Sequence, residues 1–110
     1  MVTSKNINEF GIPQEILNMI LNSFSQFNEI EEAILFGSRA KGAAEIGSDI
    51  DIALIGRDIN FQTTLRLSSL LNEELPIPHH VDLANYNIIS NQNLKDHINR
   101  VGKKIYTKHL

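Results

Sequence analysis

Between Ser48 and Gly56 the chain reads Asp49-Ile50-Asp51-Ile52-Ala53-Leu54-Ile55, two acidic residues interleaved with an otherwise apolar stretch. Alternation with a period of two is the signature of a strand, and side chains at i and i+2 leave the same face roughly 6.5–7 Å apart. Aspartate is a poor strand residue, and two carboxylates on one face repel each other. Taken alone, Asp-x-Asp would equally suit two solvent-facing residues on an edge strand. The apolar company at Ile50, Ile52, Ala53, Leu54 and Ile55 asks for a stronger reason, and a divalent cation supplies one. Magnesium prefers oxygen ligands and commonly takes one or two carboxylates together with substrate phosphates. Paired cations about 3.5–4 Å apart suit a bridging carboxylate.

The rest of the chain supplies elements to pack around that strand. Pro13 suits the first turn of a helix, and Ile16, Ile20, Phe24 and Phe27 recur at helical spacing over about 13–27. Glu32-Ala33-Ile34-Leu35-Phe36 reads as a short buried strand closed by a Gly37-Ser38 turn. A second strand spans about 48–56. Asp58 is placed to cap a helix running to about Leu75, which Pro76 and Pro78 end. His80-Val81-Asp82-Leu83-Ala84 reads as a third strand. Ser90 is placed to cap a last helix carrying Leu94, Ile98, Val101 and Ile105 on one face. The expected order is helix, strand, strand, helix, strand, helix: an α/β (α+β) domain, residues 1–110, with a small mixed sheet of about three or more strands and helices packed on it.

Composition narrows the function. The net charge of -3 argues against free-standing nucleic-acid binding, which relies on a basic stripe. The absence of cysteine excludes disulfides and thiolate metal sites. No long apolar run suggests a signal peptide or a membrane span, so a cytoplasmic location is expected. His79, His80, His97 and His109 show no metal-ligand spacing and are expected to be solvated or packed.

Two further elements can join the Asp49/Asp51 pair. Phe36-Gly37-Ser38-Arg39-Ala40-Lys41-Gly42 places a Gly-Ser turn and two basic residues after a strand, and a short helix starting there would offer its N–H groups to an anion. The alternative is an ordinary turn whose Arg39 and Lys41 pair with surface acids such as Glu45. Asp82 lies between Val81 and Leu83. It is either a satisfied polar group or, beside the second strand, the third member of a carboxylate triad.

Taken together these residues resemble the minimal nucleotidyltransferases of the DNA polymerase β superfamily. Gly37-Ser38 is followed by ten residues and then Asp49-Ile50-Asp51. Val81-Asp82-Leu83 supplies the later aspartate. The resemblance implies that Asp49, Asp51 and Asp82 hold Mg2+, with two ions expected, and act in catalysis. It further implies that Gly37, Ser38 and Arg39 contact the phosphates of ATP. A hydroxyl then attacks the α-phosphorus and pyrophosphate leaves, with the protein contributing positioning and charge stabilisation. Larger members of the superfamily carry a second domain for the acceptor. Only about 28 residues follow Asp82 here, so an acceptor bound in trans or in a homo-oligomer is expected. By resemblance the partner is a small helical HEPN-type toxin whose tyrosine receives AMP, with this chain as antitoxin. The alternatives are the same chemistry on a small molecule or RNA end, and a non-catalytic module that silences a toxin by occlusion.

Overall fold

The structure is a computed structural model and describes residues 8–45 and 47–108. The expectations placed on residues 1–7 and on His109 lie outside the described residues. The elements in chain order are α1 (Gln14–Phe24), β1 (Glu32–Phe36), α2 (Gly37–Ala40), β2 (Ile50–Ile55) and α3 (Phe61–Ser69), which runs into a π-helical turn (Leu70–Glu74). There follow β3 (Val81–Asn85), a 3-10 turn (Tyr86–Ile88), α4 (Gln92–Val101) and β4 (Lys103–Thr107).

The four strands form one mixed sheet in the order β3-β2-β1-β4. β1 is antiparallel to both β2 and β4, whereas β2 and β3 run parallel. A parallel pair needs a crossover, and α3 with its π-turn provides it. Ala33 and Leu35 of β1 and Ile50, Ile52 and Leu54 of β2 are fully buried on one face, in one cluster with α1 and α3. Burying each of the larger aliphatic side chains favours the fold by about 1.5–3 kcal/mol before entropy is counted. α4 lies over the other face. There Ile98 is buried, and Gly102 packs so closely that a Cβ on it would sit 2.6 Å from Ile34 Cγ2. Phe36 and Asp51 are register partners on this second face.

The helix starts differ from those expected. α3 is capped by Asn60, not Asp58: the Asn60 side chain accepts from the Thr63 N–H at 3.0 Å, and Thr63 Oγ1 accepts in return from the Asn60 N–H. α4 is capped by Asn91, not Ser90, through the Leu94 N–H at 3.1 Å. α1 stops at Phe24, where Ser25 Oγ turns back to donate to Asn22 O. The larger difference is at the end of the chain. The last helix ends at Val101, and Ile105 belongs to β4, a strand absent from the expected order.

Candidate active site

The site forms where β1 ends and β2 begins. Gly37 turns the chain out of β1 with φ +76, a left-handed conformation open to glycine at little cost. The turn brings its backbone against Asp51, so that a Cβ on Gly37 would lie 3.2 Å from Asp51 Cγ. Any side chain at Gly37 would displace the carboxylate. Ser38 follows at the start of α2, its carbonyl accepting from the Ala43 N–H at 2.9 Å.

Asp51 and Asp82 are direct register partners across the parallel pair β2/β3. Asp51 is half-buried, whereas Asp82 and Asp49 are exposed. Asp49 stands just ahead of β2 and is not itself a strand residue. Burial, together with the charges of Asp82 and Asp49, pushes the Asp51 carboxyl above its usual range; His97 and His80 act the other way. Among the described residues no three acidic or imidazole side chains close into a metal cage. What the structure brings together is a strand-paired couple, Asp51 and Asp82, with Asp49 two residues ahead of Asp51 and its charge acting on that carboxyl. These donors are all oxygens and their negative charges oppose one another, so the set fits a hard divalent cation.

Two residues that carry no chemistry hold the carboxylates in place. The Asn72 side chain, on the π-turn, accepts from the Val81 N–H at 2.8 Å and donates to Val81 O at 2.9 Å. It stands in for a neighbouring strand at the residue before Asp82. The second is Arg39, expected to contact nucleotide phosphates, whose guanidinium the structure commits largely to backbone carbonyls. It is only 3% exposed. Its guanidinium donates to Ser48 O through Nε and Nη2 at 3.2 and 2.8 Å, and to Phe10 O and Gly11 O through Nη1 at 3.1 and 3.0 Å. Four of its five N–H groups are thus committed to backbone carbonyls. Its role is to tie the residue before Asp49 to the segment ahead of α1. Its charge still acts on the site, since burial lowers its pKa while Asp49 and Asp51 act to raise it.

Among the described residues, His97 is packed as expected, edge-on to Phe36, and its ring also accepts from the Gly37 amide. Nothing in the local sequence marks that contact, which spans 60 residues. Burial, with the Arg39 charge, lowers the pKa of His79. A cleft of about 1030 Å3, lined in part by Glu29, Glu32, Arg57 and Lys108, opens at the opposite end of β1 and β2. It is remote from the carboxylates and plays no part in the site.

An acidic pair in register, at the mouth of a Gly-Ser turn on a four-stranded mixed sheet, defines a class of enzyme. The polymerase beta nucleotidyltransferase family model matches residues 18–109, and the chain belongs to that family. A comparison with curated proteins returns no significant match. Among solved structures, the chain is similar to a toxin–antitoxin with AMP-PNP, at 21% identity and TM-score 0.68, covering 88% of this chain and 75% of that one. It is also similar to the complex of a tri-AMPylated Shewanella oneidensis HEPN toxin with its MNT antitoxin, at 22% identity and TM-score 0.66, covering 86% and 72%. The toxin–antitoxin MntA–HepT matches at 22% identity and TM-score 0.66, covering 86% and 73%. At these identities the likeness establishes the fold. No helix among the described residues is long and apolar enough to cross a membrane.

Proposed function

We propose that this chain is an antitoxin adenylyltransferase that moves AMP from ATP to a tyrosine hydroxyl of a small helical HEPN-type partner, with Mg2+ held by Asp49, Asp51 and Asp82. The observation that carries the proposal is the register pairing of Asp51 with Asp82, under a glycine turn that leaves no room for a side chain. Family membership supports the reaction class. The likeness to MNT antitoxins, one of them in complex with an AMPylated HEPN toxin, supports the acceptor.

Each residue has a role in the reaction. Ser38 offers its hydroxyl and N–H to the triphosphate, and Gly37 lets the backbone come close to it. Asp49 and Asp51 face the phosphates, and the bound cations would supply positive charge against the triphosphate. Asp82, on the neighbouring strand β3 and exposed to an incoming acceptor, accepts the proton of the acceptor hydroxyl. The hydroxyl oxygen attacks the α-phosphorus in line. The bond from that phosphorus to its bridging oxygen breaks, and pyrophosphate leaves with the electron pair. Arg39 and Asn72 hold the two carboxylate-bearing segments in register without touching the substrate.

The test is transfer of label from α-labelled ATP to a purified HEPN-type partner in the presence of Mg2+. Asp51→Ala and Asp82→Ala should abolish transfer while leaving the circular dichroism spectrum unchanged. Normal labelling by the Asp51→Ala protein would overturn the mechanism. Neutralisation of the partner in cells by both variants would instead favour a silent binding module.

A further inference from the structure

His97 lies on α4, yet its Nε2 accepts the Gly37 N–H at 3.1 Å. Because Nε2 is the acceptor, the ring proton resides on Nδ1. The ring also meets Phe36 edge-on, with centroids 6.0 Å apart at 80°. Two contacts from one side chain thus fall on the two residues that form the bend from β1 into α2. That bend carries Ser38 and presses on Asp51. Gly37 is the residue most free to rotate its peptide, and the hydrogen bond takes up the N–H of that same residue.

We propose that His97 is a positioning residue for the nucleotide-binding turn: its Nε2 fixes the Phe36–Gly37 peptide, and through it the direction in which Ser38 meets the phosphates. The inference rests on the proposed role of Ser38 in binding nucleotide, but its first readout does not depend on that role. His97 needs no contact with the nucleotide. It acts by holding the turn in its binding shape before the nucleotide arrives, so its removal should raise KM for ATP more than it lowers kcat.

Two variants separate the hydrogen bond from the packing. His97→Gln places a carboxamide oxygen near the Nε2 position and keeps an acceptor. His97→Phe keeps an aromatic edge on Phe36 and removes the acceptor. Amide hydrogen exchange at Gly37, followed by NMR on the full chain, should show protection in the wild type and in His97→Gln, and loss of protection in His97→Phe. Exchange of the wild-type Gly37 amide at the unprotected rate would overturn the proposal without any variant. KM for ATP should rise about fivefold in His97→Phe, the effect of losing one neutral hydrogen bond, with kcat within about twofold. His97→Gln should stay within about twofold in both. Equal impairment of the two folded variants would assign His97 to packing alone and overturn the proposal. If the wild type shows no transfer to any acceptor, the adenylyltransferase reading fails, while the exchange measurement still decides the Gly37 contact.

Discussion

Replacing Asp51 by Asn should make the metal-free protein more stable while removing its activity. In the folded chain Asp51 is half-buried and stands in register beside Asp82, with Asp49 two residues before it. Adjacent strands lie about 4.8 Å apart. Two unit charges at that separation repel by about 0.9 kcal/mol in a water-like medium and about 3.5 kcal/mol at an effective dielectric of about 20. Asp82 is exposed, so the lower figure applies, and about 1 kcal/mol is expected. For a domain of 110 residues that corresponds to a rise in Tm of about 4 °C. The sign with pH follows from the raised pKa. Above it Asp51 is charged in the folded state and the cost is fully present. As pH falls through the raised value the carboxyl protonates and the cost shrinks. Below the ordinary value of 3.8 folded and unfolded chains are both protonated and no difference remains. Thermal melts of wild type and Asp51→Asn in chelator, from pH 7 to pH 3.5, measure this. Asp58→Asn, an exposed change outside the site, serves as the control and should shift stability by less than about 0.5 kcal/mol. A variant no more stable than wild type at pH 7, or an advantage undiminished at pH 3.5, would refute the reasoning.

Other perturbations test the supports of the site. Asn72→Leu leaves the buried N–H and C=O of Val81 without partners and should cost about 1–3 kcal/mol in urea melts; it should also lower transfer, since Asp82 is the next residue. Arg39→Met strips the Phe10, Gly11 and Ser48 carbonyls of their donor and should cost at least about 2 kcal/mol. If Arg39→Met instead matched the wild type in stability and failed only in nucleotide affinity, the phosphate role would be supported. Glu29 is held below its ordinary pKa chiefly by the Thr63 hydroxyl, which donates to it at 2.6 Å. The stability gained is present above the ordinary value of 4.5 and lost as pH falls through the lowered one. Thr63→Val should therefore flatten the acid side of the stability profile, and an unchanged slope in acid melts would contradict this.

Much of this architecture was legible in the residues. Strands β1, β2 and β3 announce themselves by short apolar runs; of the two acids expected on one face of the second strand, Asp51 lies in β2 and Asp49 falls just ahead of it. The failures have physical causes. Ile105 follows Val101 by four residues, so the helical period runs on through the end of α4. The stop is Gly102, whose backbone must approach Ile34 too closely for any side chain. Gly102 and then, after two lysines, Ile105-Tyr106-Thr107, all good strand formers, are the signal that marks β4. Asn60 and Asn91 outrank Asp58 and Ser90 as caps because only their side chains meet an N–H three residues on. Arg39 beside a Gly-Ser turn gives no sign of its carbonyl partners, which lie 9 to 29 residues away. The contacts of His97 and Asn72 are likewise tertiary and leave no local trace.

The central claim, that Asp51 and Asp82 form a cation site shared with a nucleotide, is tested most directly by titrating Mn2+, as a spin probe for Mg2+, into the protein with a non-hydrolysable ATP analogue. Loss of the free-ion resonance in wild type, and its persistence at the same concentrations in Asp51→Asn and Asp82→Asn, is the predicted result. Equal uptake of the ion by all three proteins would contradict the account.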